Sequence, residues 1–451
     1  MISVRGSECQ LPTFSNYTPS GKLSFSRYIL IPSDEESAKQ LEALGLPKTI
    51  APMDEMLQIA NLPFNMTVAV MLDVAFEGAT SSSYKEATER LRKKYFIQGS
   101  VDNDDIICTS RVREVTNYIG KIVFLENCHK ARRAQWEFDN CQITLSRDKP
   151  YELYLMTDGA SLNTRTKEKQ QDGRESSWKE NKLGVVFRSS DIRKWTVKRE
   201  DNTEEVRHCI LKKEYTSYTG SVNEFKWHLL ALALRNGYAN ARTLVIVSDG
   251  SAWITEVRRE LFPEAVHILD LFHLKENVHS YVNAIFKNKT EAEAAAKRIC
   301  DQLEDGKWKT VLKELEQYKD ISLPDNTVNL ITYIDNHKDM LDYPLYRERG
   351  YFVGSGIIES GHKIVLQVRL DGAGMRWNVP TARYVLALRE KIKSEKWESD
   401  VVLFVTNLLI TLKTIPPRLP RSEKEVKRME EEDISKAIYQ EKKTWKKKRK
   451  R

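Results

Sequence analysis

The spacing of apolar positions along this chain changes near residue 150, from a helical period to runs of the length and texture of strands. Between Pro52 and Leu125, Met53, Met56, Leu57 and Ile59 to Leu62 give one apolar helical face, and Val68 to Ala75 give a second. A third helix is predicted over Ser83 to Lys94, with Arg90, Arg92, Lys93 and Lys94 as a basic rim, and a fourth from Ser110 to Ile119. Short helices with a basic rim suit a helix-turn-helix-like DNA reader and equally suit plain helical packing. Ahead of them, Ser26 to Ile31 reads as a strand. Ser33 and Glu36 form a capping-box pattern opening a short helix that Gly45 closes.

Past Pro150 the pattern predicts strands at Tyr151 to Thr157, Leu183 to Arg188 and Cys209 to Tyr215. Ser221 and Glu224 then open an amphipathic helix through Phe225, Leu229, Leu232 and Leu234, stopping at Gly237. A strand from Thr243 to Ser248, a helix from Trp253 to Leu261 and a strand from Ala265 to Leu269 follow. A three-strand meander followed by alternating helices and strands matches the ribonuclease H-like arrangement, in which carboxylates on the first and fourth strands meet at one edge. No strand is predicted from Lys275 to Tyr346, where Thr290 and Glu293 cap an alanine-rich helix closing near Gly306 and further helices cover Lys307 to Lys319 and Val328 to Met340. Glu359 and Ser360 to Val368 read as a helix returning to the core. Pro380 suits the start of a helix over Thr381 to Lys393, and another runs from Glu398 to Leu412.

The expected fold class is therefore α/β: an RNase H-like catalytic core interrupted by an all-helical insertion and preceded by a mostly helical N-terminal DNA-binding region. The expected divisions are an extension (1–50), the helical region (51–149), the first part of the core (150–274), the insertion (275–350), the final part of the core (351–412) and a basic tail (413–451).

The candidate chemistry is acidic. Asp158 and Asp249 each end an apolar run and precede glycine, and either alone would serve to close a turn. Together with Glu359, in Gly354-Ser-Gly-Ile-Ile-Glu359, they form the pattern of a divalent-metal site, because hard cations take a few carboxylate oxygens held on separate rigid elements. In Asp270-Leu-Phe-His273, two side chains share a strand exit, where His273 either adds to such a site or simply pairs with a carboxylate. His267, His273 and His279 have no cysteine partner at ligand spacing, which argues against zinc. From Gly354 to Arg389, glycines interleave with Lys363, Arg369, Arg376, Trp377, Arg383 and Arg389. Such a segment either grips phosphates and stacks on bases or is a glycine-rich turn with a buried tryptophan. Trp178-Lys-Glu-Asn-Lys182 is likewise a solvated edge or a substrate-facing hairpin.

Composition narrows the setting. With 451 residues the chain is too long for one simple core, and 72 Lys+Arg against 64 Asp+Glu give a net charge of +8, a mild basic excess that suits polyanionic partners. Much of that excess lies in Gln440 to Arg451, which is either a solvated end or an auxiliary phosphate contact. Six cysteines without any C-x-x-C pair point to a reducing compartment. Without an apolar run of membrane-spanning length or a signal-peptide pattern, the expected location is the cytosol.

Read together and in order, Thr157-Asp-Gly, Trp178-Lys-Glu-Asn-Lys-Leu-Gly-Val-Val-Phe187, Ser248-Asp-Gly-Ser-Ala-Trp-Ile254, Asp270-Leu-Phe-His273 and Gly354-Ser-Gly-Ile-Ile-Glu359 through Arg369-Leu-Asp-Gly-Ala-Gly-Met-Arg-Trp377 resemble bacterial insertion-sequence DDE transposases of the Kra type, relatives of the Mutator-like group. The resemblance implies that Asp158, Asp249 and Glu359 are the catalytic triad and bind two Mg²⁺ (or Mn²⁺), and that Asp270 and His273 are the D-x-x-H element. It implies cleavage of element ends and transfer of the freed 3′-hydroxyl into target DNA. Lys363, Arg369, Arg376 and Trp377 would contact that DNA. The implied partners are double-stranded DNA, both terminal inverted repeats and target, and a second copy of the chain, as a homodimer or higher oligomer, in a bacterial, nucleoid-associated setting without a membrane. One departure is the segment Tyr28-Ile-Leu-Ile-Pro-Ser-Asp, which lacks the zinc-ribbon cysteine pair that relatives often carry there. A domesticated or decayed copy that only binds DNA is the alternative. A phosphatase with an aspartyl nucleophile fits less well, because Gly159 and Ala160, not a second aspartate, follow Asp158.

Overall fold

The structure is a computed structural model that describes residues 4–7, 14–18, 21–25, 29–43, 62–95, 107–169, 175–198 and 204–413. Gly45, the predicted apolar face from Met53 to Ile59 and the basic tail lie outside the described residues. The chain folds as two compact units, one of residues 1–129 with 368–451 and one of residues 130–367. Residues of 368–412 share a buried core with the N-terminal helices.

The first unit opens with two antiparallel pairs, β1 (Val4–Ser7) with β4 (Ile29–Pro32) and β2 (Phe14–Thr18) with β3 (Gly21–Phe25), followed by helix α1 (Glu35–Ala43). Helices α2 (Val68–Thr80) and α3 (Tyr84–Lys94) begin at Thr67 and Ser83, whose hydroxyls each accept a backbone N–H of the first turn. Helix α4 (Thr109–Asp139) is far longer than the predicted Ser110 to Ile119. Arg92, expected on a basic rim, is instead buried and donates to the Ile107 carbonyl.

The second unit is built on a five-stranded mixed sheet. Its strands are β5 (Lys149–Lys169), β6 (Glu175–Arg188), β9 (Glu214–Thr219), β10 (Ala241–Ser248) and β11 (Val266–Leu269), in the spatial order β11-β10-β5-β6-β9. The three strands β11, β10 and β5 run parallel, while β6 is antiparallel to both β5 and β9. Central strands of this kind are covered on both faces, which is why Leu153 to Thr157 and Leu244 to Ser248 are unbroken buried runs and not alternating ones. Between β6 and β9 the chain inserts a separate antiparallel ribbon, β7 (Ile192–Lys198) with β8 (Glu204–Ile210). The predicted strand from Cys209 to Tyr215 therefore straddles two strands, broken at Leu211 to Lys213.

Helix α5 (Val222–Arg235), opened by Ser221 accepting from the Glu224 N–H, packs on β6 and β9, and helix α6 (Ala252–Leu261) joins β10 to β11. Between Lys275 and Tyr346 no strand forms, as expected, and the helices from Leu271 on are α7 (Leu271–Ile285), α8 (Lys289–Glu304), α9 (Trp308–Leu315), α10 (Leu330–Asn336) and α11 (Tyr343–Glu348). The cap of α8 is Asn288, which accepts from the Thr290 N–H, and not Thr290 itself. Asparagine outranks threonine at that position. A short helix, α12 (Gly356–Gly361), continues into a π-type turn, His362–Gln367, and packs against β5 and β6.

The chain then returns to the first unit with α13 (Val379–Lys393), which carries Pro380 in its first turn, and α14 (Leu403–Lys413). Their Leu388, Val405 and Leu408 complete a core with Val70, Val74, Leu91, Val115 and Ile119. Two buried arginines close that core at the C-terminal end of α2: Arg369 Nε donates to the Gly78 carbonyl at 3.1 Å and Arg389 Nη1 to that of Ala79 at 2.6 Å. Both act where a helix leaves carbonyls unpaired and favours positive charge. Burial nonetheless pulls Arg389 down to about 10.

Candidate active site

The parallel pairing of β5 and β10 sets Met156 opposite Val247. Two residues further along the chain from each of these stand Asp158, still within β5, and Asp249, just past the end of β10. Asp249 lies just past its strand, as predicted. Asp158 does not: β5 continues to Lys169 as one arm of a hairpin with β6, in which Asp158 pairs with Leu183. It sits where the parallel pairing stops and the hairpin goes on alone, and Gly159 is an extended strand residue, not a turn.

Asp249 is held by its own turn. Its carboxylate accepts from the Ser251 N–H (2.9 Å) and hydroxyl (2.6 Å). Gly250 has φ +84°, and a Cβ there would lie 2.5 Å from His337 Nε2. Helix α10 and the residue after it brace this turn, with the Tyr333 hydroxyl on the Asp249 carbonyl and His337 Nε2 within 2.8 Å of the Gly250 carbonyl oxygen. Burial, reinforced by the negative charges of Asp249 and Asp270, pushes the Tyr333 hydroxyl well above its ordinary pKa. It therefore stays protonated as a donor. Beneath the turn, Ser248 Oγ lies 2.9 Å from His267 Nε2, and burial pushes His267 down to about 3.

Asp270 is fully buried at the N-cap of α7. Its carboxylate accepts from the His273 N–H at 2.7 Å and from the Ser355 N–H, tying the end of β11 to the loop that leads into the Glu359 helix. That is a structural role for the aspartate of the Asp270 to His273 pair. His273 itself is half-buried, with Nδ1 3.1 Å from Glu276 and Nε2 4.0 Å from Glu359 Oε1. Glu359 is 48% exposed and Asp158 33%.

A residue that sequence reasoning missed completes the picture. His362 is buried, and its Nε2 lies 3.5 Å from Asp158 Oδ2. Its spacing of three from Glu359, one helical turn, was a legible signal. Tyr333, His337 and Ser355 carried none apart from the helical text around the first two.

Among the described residues, no group of three or more His, Cys, Asp or Glu side chains is placed to hold a metal ion. The donor types fit a hard cation, and Asp158 and Asp249 stand on neighbouring strands two residues past their last paired rung, but the Asp249 carboxylate is turned onto Ser251. Of the expected DNA contacts, Lys363 and Arg376 are exposed, while Arg369 and Trp377 are not. The Arg369 guanidinium is stacked on the Tyr84 and Trp377 rings at 4.5 and 5.0 Å, and Trp377 Nε1 donates to the Leu370 carbonyl. These two side chains are packed into the interior of the glycine-rich turn.

Residues 168–376 match a family described as "Uncharacterised protein family (UPF0236)", a span that takes in Asp249, Asp270, His273 and Glu359 and leaves Asp158 outside. No curated protein matches the chain. Among solved structures, the Drosophila P element transposase strand transfer complex is similar at 8% identity over 81% of this chain and 87% of that one, with a TM-score of 0.23. A likeness that slight carries no argument here. The fold is mixed α/β, and no helix among the described residues is long and apolar enough to cross a membrane.

Proposed function

We propose that the unit of residues 130–367 is an RNase H-like core whose Asp158, Asp249 and Glu359 form a metal-dependent phosphodiester site, and that the chain is a DNA transposase of an insertion sequence. One observation carries the reading. Asp158 and Asp249 each stand two residues past the last paired rung of the adjacent parallel strands β5 and β10, and Glu359 lies on a helix packed against β5 and β6. The sheet order, a three-strand meander extended by two parallel strands on the side of β5, supports it.

Two Mg²⁺ or Mn²⁺ ions, when bound, would supply the Lewis acid that offsets charge at the reacting phosphodiester. The three carboxylates would hold them. For Asp249 this requires its side chain to turn from Ser251, a short-range exchange of one acceptor for another. The Tyr333 and His337 contacts keep the Asp249–Gly250 backbone fixed while the carboxylate moves. His273 stands between Glu276 and Glu359, its Nε2 4.0 Å from Glu359 Oε1. Lys363, exposed one turn beyond Glu359, offers a cation to a DNA phosphate. The substrates in this reading are double-stranded element ends and target DNA, paired by two copies of the chain.

A second reading is a copy that binds DNA without cutting it. Cleavage and gel-shift assays on the same end-containing DNA separate the two. Metal-dependent strand cleavage supports the first; binding with no cleavage under any divalent cation supports the second.

A further inference from the structure

We infer that His362 is a positioning residue that fixes the orientation of the Asp158 carboxylate through its Nε2; the inference rests on the reading of Asp158 as part of the catalytic site. His362 is only 5% exposed, and neither of its ring nitrogens has a hydrogen-bond partner. Leaving a buried polar group unpaired costs roughly 1–3 kcal/mol, so such a residue calls for a compensating role. Its Nε2 is 3.5 Å from Asp158 Oδ2, a gap that a small rotation about the broad ring torsion closes to hydrogen-bond length.

Asp158 is arranged to receive it. Its Oδ1 already accepts from the Gly159 N–H at 2.7 Å, so Oδ2 is the oxygen left to face the imidazole. The backbone brings the two together by design of the neighbouring residue. A Cβ on Gly361 would lie 2.9 Å from Tyr215 Cε1 and 3.0 Å from Leu183 Cδ2, so only glycine lets the helix press this closely on the sheet. Leu183 is the residue directly across from Asp158 in the β5–β6 pairing. Gly361 therefore docks the helix at the very rung of the sheet where Asp158 projects, and His362 follows it. The π-type turn begins at His362, and such local widenings of a helix recur at functional sites. Glu359 and His362 then serve one site from one helical segment, the first as a carboxylate and the second as the support of another.

The test uses the full chain with ¹⁵N-labelled histidine, of which the sequence has eight. The His362 ring resonances are assigned by their loss in His362→Gln and followed in wild type and Asp158→Asn. A shift of those resonances in Asp158→Asn is expected. Unchanged resonances overturn the inference, whether or not the protein cuts DNA. A second arm measures cleavage at saturating end-containing DNA. His362→Leu, which keeps apolar volume and removes the donor, should lower kcat by about 10- to 100-fold with DNA affinity retained, and His362→Gln, whose amide reaches a similar point, should recover most of the loss. Wild-type cleavage by a folded His362→Leu also overturns the inference. The two failures are distinguishable: an inactive Asp158→Asn whose His362 resonances stay fixed refutes the pairing alone, whereas shifted resonances with cleavage surviving in Asp158→Asn refute the catalytic reading and leave the pairing intact.

Discussion

Replacing Asp270 by alanine removes one carboxylate and two hydrogen bonds from a place with no access to water. The first bond caps α7 through the His273 N–H, and loss of an N-cap of this kind costs about 1 kcal/mol, within a range of roughly 0.5–2. The second satisfies the N–H of Ser355, itself only 3% exposed, and orphaning a buried donor costs about 1–3 kcal/mol. The expected destabilisation of Asp270→Ala is the sum, about 2–4 kcal/mol, which for a unit of this size lowers the melting temperature by roughly 5–12 °C. Asp270→Asn keeps one acceptor and turns an amide N–H toward the other donor, so it should fall between wild type and alanine. Urea denaturation followed by circular dichroism measures both variants. A midpoint for Asp270→Ala indistinguishable from wild type would refute the reasoning. If cleavage were lost at unchanged stability, Asp270 would belong to the chemistry and not to the scaffold.

Two further outcomes follow from the turn beneath Asp249. His267 is held neutral in the folded chain, at about 3 against 6.5 in an unfolded one, so only the unfolded state takes up a proton as pH falls through 6.5. The stability it contributes is fully present above pH 6.5 and declines by about 1.4 kcal/mol per pH unit on the way down, a slope that denaturation midpoints between pH 6.5 and about 5 should show and that His267→Gln should reduce. A slope unaltered by that substitution would assign the pH dependence elsewhere. Gly250→Ala forces an L side chain to φ +84° and sets its Cβ against His337, which costs about 1–2 kcal/mol for the backbone alone. Thermal unfolding should register that loss; an unchanged melting temperature would show the turn to be more yielding than its contacts with Tyr333 and His337 imply.

The parts of this molecule that could be read from sequence are those whose signal is local. The buried runs of β5 and β10, the Ser221 cap and the strandless stretch after β11 all appear in the residues themselves. The extension of β5 past Asp158 does not, because that arm of the hairpin is largely polar: of its alternately buried residues Leu162 and Thr164 only one is apolar, too few to mark a strand. The ribbon β7–β8 was hidden for the same reason, and its insertion displaced the predicted third strand. Arg369 and Trp377 show the opposite difficulty. Arginine, glycine and tryptophan together describe a nucleic-acid grip and a buried cation–π stack equally well, and only the position of the α2 carbonyls and the Tyr84 ring decides between them. The same limit applies to Tyr333 and His337, which act on residues far away in sequence.

The central claim, that Asp158, Asp249 and Glu359 perform phosphodiester chemistry on DNA, is tested most directly by incubating the purified full chain with DNA bearing the element's ends and Mg²⁺ or Mn²⁺. The expected result is divalent-metal-dependent cleavage and joining by the wild type, reduced to background in each of Asp158→Asn, Asp249→Asn and Glu359→Gln while gel-shift binding persists. Cleavage that survives these substitutions, or that proceeds unchanged in excess chelator, would contradict it.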